Sequence, residues 1–146
     1  VDSQVPSRRP MVVLKLMEKL IYYSQIYNSR YLLYLGILGH KLSKLYFNCI
    51  NYFKNNCEVF ALHGSAIVFH RDALHKLGNV FDEKIFLFTE EEDLAYKCDS
   101  LNIKCIYSKE IKVHHSEDGS SNSLNKSSLD QITKDSIIYR YKKWHG

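Results

Sequence analysis

Residues 58–119 alternate short β-rich runs with short helical patterns, and this alternation constrains the fold more than any other feature of the chain. The run RDALHKLGN predicts a short helix that ends at Gly78 and Asn79. The predicted strands are EVFAL and AIVFH on either side of His63, Gly64 and Ser65, followed by KIFLF, NIKCIYS and EIKVHH. Strands that alternate with helices are typical of an α/β sheet, so we expect an α/β fold with functional groups at the ends of its elements.

Helical zones flank this middle zone. Residues 11–57 contain amphipathic spacings such as Leu14, Met17 and Leu20, which predict helices. Residues 120–146 begin as a polar loop or helix start and continue as a helix. The chain of 146 residues is long enough for one domain with a core and too short for two ordinary ones. We therefore expect a single domain with three zones, 11–57, 58–119 and 120–146.

The first and last zones carry basic residues beside aromatic ones. Residues 11–57 contain several lysines, most of the tyrosines and a single acidic residue, Glu18. This composition fits helices that lie on anionic lipid, and it also fits a helical layer packed on the rest of the protein. The basic end of the last zone, with Arg140, Lys142, Lys143 and Trp144, predicts either a solvated helix or a contact with a membrane surface.

The charge and the cysteines exclude several classes of protein. A formal charge of +4 and a pI near 8.8 permit an anionic substrate or a membrane surface, and they are too weak to indicate nucleic acid. Four cysteines without C-x-x-C spacing indicate neither a zinc finger nor a disulfide framework, so we expect reduced thiols and a cytoplasmic location. We expect no signal peptide, because VDSQVPSRRP lacks an apolar core.

Four carboxylates stand side by side at residues 90–93, where each raises the cost of ionising its neighbours. Thr89, followed by Glu92 three residues later, predicts a capping box at the start of a helix, and the helix dipole favours acidic residues in a first turn. The cap explains Glu92 and tolerates the other three. A functional site is the alternative interpretation of this row, since carboxylates with perturbed pKa values often mark chemistry.

Residues 63–122 contain, in order, the strings HGSAIVFHRDAL, LGNVFDEKIFLF, TEEEDLAYKC and IKVHHSEDGSSN. Their order and spacing resemble the second half of glycosyltransferase family 2, the GT-A fold enzymes that build bacterial polysaccharides, and the rhamnosyltransferases among them in particular. The resemblance implies that the fold is the C-terminal half of a GT-A (Rossmann-like) glycosyltransferase domain with flanking helices.

The resemblance implies catalytic residues at the acidic helix start. Matching the family's Asp-Leu pair to Asp93 and Leu94 puts the catalytic base at Glu91, and Glu90 directly before it is the second candidate. A carboxylate suits that role, because an acceptor hydroxyl loses its proton as its oxygen attacks the anomeric carbon in an inverting transfer. The family's base is usually Asp, and Glu91 is one methylene longer.

The resemblance also implies acceptor and metal sites. Gly64, Ser65 and Asp93 would contact the acceptor, and the missing Cβ of a glycine lets backbone approach a ligand. His114 and His115 match the family's histidine stretch, in which one histidine completes the coordination of a divalent metal, Mn²⁺ or Mg²⁺. We favour His114 as that ligand.

The implied partners are a UDP-, dTDP- or GDP-sugar as donor and a glycan or lipid-linked sugar as acceptor, at the inner face of the plasma membrane. The family's first half supplies nucleotide binding and an Asp-x-Asp metal motif, and this chain contains no Asp-x-Asp. The resemblance therefore implies that the chain alone lacks donor binding and is inactive.

Two other classes of function stay open. A non-catalytic membrane-surface or protein-interaction domain would use the basic, tyrosine-rich helices, and liposome binding together with indifference to changes at Glu91 would favour it. A metal-dependent hydrolase would use the acidic residues and the histidines as ligands, and tight metal binding by the chain would favour it.

Overall fold

The computed structural model of the protein describes residues 12–50, 55–86, 88–114 and 125–146. The helices in these ranges are α1 (Val12–Ile26), α2 (Arg30–Ile50), α3 (Arg71–Leu77), α4 (Glu90–Ser100) and α5 (Lys126–His145). The strands are β1 (Asn56–Val59) and β2 (Cys105–Ser108). The described part of the chain is thus a mixed α and β structure in which helix predominates.

Residues 12–50 fold as a helical hairpin, which confirms the helices that the amphipathic spacing predicts, whereas Asn56 and Cys57 at the end of the first zone belong to β1. Between α1 and α2 the chain turns at Asn28, whose φ of 50° lies in the left-handed region. The two helices approach closely at two glycines of α2. A Cβ on Gly36 would lie 2.6 Å from Cγ1 of Ile21, and one on Gly39 would lie 2.9 Å from Cε of Met17. The glycines therefore set the short distance between the helices.

The strands β1 and β2 form an antiparallel pair in which Cys57 faces Tyr107. The strand prediction is confirmed for parts of EVFAL and NIKCIYS. It is wrong for AIVFH and for the described parts of KIFLF and EIKVHH, which are irregular and expose Val68, Phe86 and Ile111. A segment becomes a strand only where a neighbour completes its ladder of hydrogen bonds, and no such neighbour lies beside these segments in the described ranges.

The core forms on both sides of α4. Two clusters of buried residues make it up, Phe60, Ala61, Ala95 and Tyr96 in one and Leu77, Leu94 and Cys98 in the other. Leu94, Ala95 and Cys98 are thus buried on this helix, whereas Leu101 directly after it is 38% exposed. Burial on two sides holds α4 in place, and its acidic first turn therefore has a fixed position.

Two residues of the basic end of α5 pack into the core, so the prediction of a solvated or membrane-bound end is wrong for Arg140 and Trp144. Arg140 is 6% exposed, and the ring of Trp144 stacks on that of Tyr96 with their centroids 5.5 Å apart. The physical reason is that α1 and α4 each carry a buried carboxylate, that of Glu18 in α1 and that of Asp93 in α4. A buried carboxylate needs a cation or hydrogen-bond donors, and α5 supplies both.

The start of α4 lacks the predicted capping box. Thr89 precedes the helix, but its side chain makes no capping hydrogen bond, and its Oγ1 has no partner among the described residues. The physical reason is the backbone, because a capping threonine adopts an extended conformation. Thr89 instead has a φ of 74°, and Phe88 before it has a φ of 61°. Positive φ at a non-glycine residue costs about 1–3 kcal/mol, so α4 begins at a strained turn.

The thiols join α4 to β2. None of Cys49, Cys57, Cys98 and Cys105 forms a disulfide. A hydrogen bond with Cys105 lowers the pKa of the Cys98 thiol, and the same bond, together with burial, raises the pKa of the Cys105 thiol.

Among the described helices, none is both long enough and apolar enough to cross a membrane.

Candidate functional site

The four acidic residues at the start of α4 point in four directions, because successive side chains on a helix are about 100° apart. Glu90 is half-buried at the surface. The groups that act on the other three are Gly64 for Glu91, Arg140 for Glu92, and Lys143 and Trp144 for Asp93. The row of carboxylates is therefore divided among several structural tasks, and the four groups do not form one cluster.

Glu91 contacts the loop after β1. The backbone N–H of Gly64 donates a hydrogen bond of 3.0 Å to Oε1 of Glu91, across 27 residues of sequence. A Cβ on Gly64 would lie 2.5 Å from the same oxygen, so the close approach requires glycine. The structure thus brings together two of the residues that the sequence analysis selected. The hydrogen bond from this loop goes to Oε1 of Glu91 and not to Oε2.

The loop beside Glu91 is closed by its own side chains. The N–H of Ser65 donates to Nδ1 of His63 at 3.2 Å, and Oγ of Ser65 lies 2.7 Å from the same nitrogen. Since Nδ1 accepts from a backbone N–H, the neutral imidazole carries its proton on Nε2. Ser65 therefore stabilises the turn that presents the Gly64 N–H. The acceptor contact predicted for Ser65 stays a prediction.

Changing Gly64 to alanine should displace the Glu91 carboxylate without unfolding the chain. The clash is with the end of a flexible side chain, so we expect the free energy of unfolding to change by less than about 0.5 kcal/mol. Amide NMR checks the result, because loss of the hydrogen bond shifts the resonance of the residue 64 amide. Glu91→Ala removes the acceptor without a clash and should shift the amide in the same direction. An unchanged amide in both variants would show that the hydrogen bond does not form.

Glu90 and Glu92 differ from ordinary surface carboxylates. Burial raises the pKa of Glu90, and the neighbouring charge of Glu91 raises it further. Oε2 of Glu90 has no hydrogen-bond partner among the described residues. Burial also raises the pKa of Glu92, although the guanidinium of Arg140 opposes this change. Glu90 is thus a carboxylate that holds a proton more readily than usual next to the residue predicted as the base.

Asp93 is engaged by α5. Its Oδ1 accepts a hydrogen bond of 2.7 Å from Nε1 of Trp144, and Nζ of Lys143 donates to its carboxylate at 2.9 Å. The residue is 2% exposed, so these contacts fill its surroundings. The sequence analysis placed Asp93 on the acceptor side. In the structure its contacts are internal, and an acceptor contact through this side chain stays a prediction.

Replacing Asp82 by asparagine should remove a pH-dependent contribution to stability. Nζ of Lys143 donates to Asp82 at 2.8 Å, and this bond, with the backbone N–H of Lys84 and the hydroxyl of Tyr139, lowers the pKa of the carboxyl to about 2. A lowered pKa stabilises the fold above pH 4 or so, and that contribution is lost as the pH falls toward 2.

We therefore expect Asp82→Asn to lower the free energy of unfolding by about 1–2 kcal/mol at pH 6, after allowance for solvent screening. Near pH 2 the variant and the parent chain should unfold at the same urea concentration. Glu83→Gln, a neutralisation of the exposed neighbouring residue, is the control and should change little at either pH. An equal difference between Asp82→Asn and the parent at both pH values would contradict the ion pair.

A buried network connects α1, α4 and α5, and the sequence analysis missed it. Arg140 Nη1 donates to Oε1 of Glu18 at 2.9 Å, and the hydroxyl of Tyr96 donates to Oε2. Nε2 of His145 lies 3.0 Å from Oε2 of the same residue. Burial by itself raises the pKa of Glu18, and Arg140 with the hydrogen bonds lowers it below its ordinary value. The sequence contained one indication of this network, the single acid in the first zone.

Of the two histidines predicted as metal ligands, only His114 lies in the described residues. His114 is exposed, and His115 lies outside the described residues. No group of three or more His, Cys, Asp or Glu side chains in the described ranges is arranged to hold a metal ion. The divalent metal that the resemblance implies for the full-length enzyme stays a prediction.

A cleft of about 240 Å³ lies beside Glu91. Apolar side chains from α3, α4 and the loop before α3 line it, among them Ile67, Phe69, Leu77 and Leu94. Glu91 is the acidic residue in that described lining. The cleft is smaller than the usual pocket for a drug-sized ligand, and it places one carboxylate at an apolar surface.

Comparisons with protein-family models, with curated proteins and with solved structures find no match to this chain. What its residues do is therefore inferred from their geometry and chemistry. The arrangement offers a carboxylate held by a backbone N–H, a neighbouring carboxyl with a raised pKa and a glycine turn that permits close approach. Such groups can accept a proton from a hydroxyl.

Proposed function

We propose that this chain is the C-terminal part of a sugar-nucleotide-dependent, inverting glycosyltransferase that transfers a hexose or deoxyhexose to a hydroxyl acceptor in bacterial surface polysaccharide synthesis. The GT-A fold belongs to this proposal. Its support is the series of four motifs in residues 63–122 and the contact between two of them.

The observation that carries the proposal is the hydrogen bond from the Gly64 N–H to Glu91. The motif resemblance assigns the turn HGS to the acceptor and the acidic helix start to the base, and a transfer reaction needs these two sites to be adjacent. In the structure they are in contact at 3.0 Å, although 27 residues separate them in sequence. The contact supports a shared site, since a cap at the helix start does not require it.

In the proposed reaction Glu91 acts as the base. The acceptor oxygen forms a bond to the anomeric carbon, and its proton moves to the Glu91 carboxylate. The bond from that carbon to the diphosphate breaks, and the nucleoside diphosphate leaves with the electron pair. The Gly64 N–H holds Oε1 of Glu91, which fixes the orientation of the carboxylate and allows Oε2 to take the proton.

Glu90 has a supporting part in this proposal. Its raised pKa makes it neutral over a wider pH range than an ordinary carboxylate, which limits the repulsion on an ionised Glu91. The strained turn at Phe88 and Thr89 sets the angle at which both side chains leave the helix. Strain of this kind is found where a functional side chain needs a defined orientation.

The test is an assay of the full-length protein with a panel of UDP-, dTDP- and GDP-sugars in the presence of Mn²⁺, in which hydrolysis and transfer are both followed. We expect turnover with one donor and none with the chain of 146 residues alone. If the full-length protein turns over no donor and the chain still binds lipid vesicles, the chain is a non-catalytic membrane-surface domain. If the chain alone hydrolyses a substrate with a metal, the hydrolase alternative is correct.

A further inference from the structure

The outer face of α2 is an exposed apolar stripe. We define the α2 stripe as Tyr31, Leu35, Leu38, Leu42, Leu45 and Tyr46. Its members follow one another at intervals of three or four residues, apart from the last pair, so they share one face of the helix. Their exposed fractions range from 38% at Leu35 to 71% at Tyr31. An apolar face along a whole helix is larger than the scattered exposed residues that any surface has.

The stripe is not the face that holds α2 in the fold. α2 packs on α1 through an adjacent side of the helix, where Gly36 and Gly39 approach α1 and Phe47 is buried. α2 therefore has two apolar sides, the inner side that packs on α1 and the outer side that carries the stripe. In the described part of the chain no element covers the outer face, as the exposure of Leu38 and Leu42 shows.

The charges around the stripe have one sign. The charged side chains of α2 are Arg30, Lys41 and Lys44, and α2 contains no acidic residue. The exposed charged residues of α1 are Lys15 and Lys19. The acid of α1, Glu18, is buried against Arg140 and contributes nothing to the surface. The hairpin therefore presents an apolar stripe with basic side chains of α2 along one border, which is complementary to an anionic surface.

This charge distribution selects lipid over a second copy of the chain. Lys41 lies near the middle of α2, three residues from Leu38 and four from Leu45, so it borders the stripe. Two copies aligned stripe to stripe would bring their Lys41 side chains together, and like charges at an interface oppose association. Anionic headgroups pair with the same side chains, and the leucines enter the boundary of the acyl chains.

We propose that α2 binds to the surface of a bilayer that contains anionic phospholipid, with its axis in the plane of the membrane. The leucines of the stripe insert below the headgroups, while Tyr31 and Tyr46 lie at headgroup level, where their rings and hydroxyls are both accommodated. Arg30 and Lys41 extend to the lipid phosphates. This inference rests on the α1–α2 hairpin and is independent of the proposed transfer reaction.

The test is flotation of the purified chain with vesicles of phosphatidylcholine and with vesicles that also contain phosphatidylglycerol. We expect the parent chain to bind the anionic vesicles. The double variant Leu38→Gln/Leu42→Gln should lose about a hundredfold in affinity, since each leucine buried in the bilayer contributes strongly to the free energy of binding. The double variant Arg30→Gln/Lys41→Gln should lose about tenfold or more on anionic vesicles and nothing on neutral ones.

A matched control uses the same leucine-to-glutamine change elsewhere. Leu74 of α3 and Leu101 after α4 are exposed by 42% and 38%, and Leu74→Gln/Leu101→Gln should leave vesicle binding unchanged. Far-UV circular dichroism establishes that each variant keeps its helix content, so a loss of binding is not a loss of fold. Equal losses in the stripe variant and in this control would overturn the proposal.

The remaining outcomes identify other occupants of the stripe. Failure of the parent chain to bind anionic vesicles would show that the lipid proposal is wrong. If light scattering then finds a dimer that Leu38→Gln/Leu42→Gln dissociates, the stripe binds a second copy. If binding occurs equally to neutral and anionic vesicles, the basic side chains have no part and the proposal is also wrong. Donor turnover by the full-length protein in detergent is measured separately, so failure of the transferase proposal is distinguishable from failure here.

Discussion

Replacing Arg140 by methionine is expected to destabilise the fold by about 3–5 kcal/mol at neutral pH, as removal of one partner of a buried ion pair generally does. Arg140 and Glu18 are 6% exposed each, and their charged atoms are 2.9 Å apart. Without the guanidinium, the carboxylate of Glu18 is buried with only hydrogen bonds from Tyr96 and His145. A loss of this size is a large share of the stability of an ordinary domain.

The cost of the Arg140 change should shrink in acid. Burial alone raises the pKa of a carboxyl, and in the parent chain Arg140 with the hydrogen bonds brings the pKa of Glu18 below its ordinary value. In the parent, the contribution of Glu18 to stability is therefore present above its unfolded pKa and is lost as the pH falls through the lowered folded value. In Arg140→Met, Glu18 takes up a proton at a higher pH, which relieves the unpaired charge. Burial raises the pKa of Glu92 and the charge of Arg140 opposes this change, so Glu92 should likewise take up a proton at a higher pH in this variant.

Urea unfolding at neutral and at acid pH checks this expectation. The control is Lys142→Met, the same kind of change at an exposed neighbour, and it should alter the free energy of unfolding by less than about 0.5 kcal/mol. The double variant Glu18→Gln/Arg140→Met should recover most of the loss, because an amide oxygen still accepts from Tyr96 and carries no charge. A loss below about 1 kcal/mol in Arg140→Met would mean that the pair is not buried.

In the full-length protein, Glu91→Gln is expected to lower kcat for sugar transfer by about 10²–10⁴, the usual contribution of a general base. Glutamine keeps the length of the side chain and its acceptor for the Gly64 N–H, so KM and thermal stability should change little. Glu91→Asp keeps the carboxylate but withdraws it by one methylene. It should retain part of the activity, because the proton acceptor is present and its hydrogen bond to Gly64 is lengthened.

The controls for Glu91 are its neighbours. Glu90→Gln tests the second candidate, and Glu83→Gln tests an exposed carboxylate outside the site. If Glu90→Gln is inactive while Glu91→Gln keeps full activity, the base is Glu90 and the bond to Gly64 has only a structural role. If both variants are fully active, the carboxylates at the start of α4 do not take the proton, and the proposed mechanism is wrong.

The sequence predicted the helices better than the strands, and the reason is local. The apolar spacing of Leu14 and Met17 in α1 and the end of α3 at Gly78 depend on neighbours within one or two turns. A strand depends on a partner that is distant in sequence, and AIVFH and KIFLF have β-rich composition without such a partner in the described residues. Composition alone therefore overestimated the sheet.

The candidate site was predictable only where short sequence motifs determine it, and not where it depends on packing between distant helices. The motifs selected Gly64 and Glu91, and the structure brings these residues into contact. The roles of Asp93 and Arg140 were not visible, because each depends on packing between helices far apart in the chain. Arg140 reads as a solvated cation in the sequence, and only the buried position of Glu18 makes it a core residue.

The partners of Glu18 come late in the order of synthesis. Arg140 follows Glu18 by 122 residues, so at about 5–20 residues per second the ribosome needs about 6–24 seconds to make the second half of the pair. During that interval the carboxylate of Glu18 has to stay hydrated, which keeps the inner side of α1 open to water. We therefore expect the α1–α2 hairpin to form early and the domain to close around α4 only after α5 has been made. A nascent chain that stalls before residue 140 should then leave an open structure for chaperones and proteases to act upon.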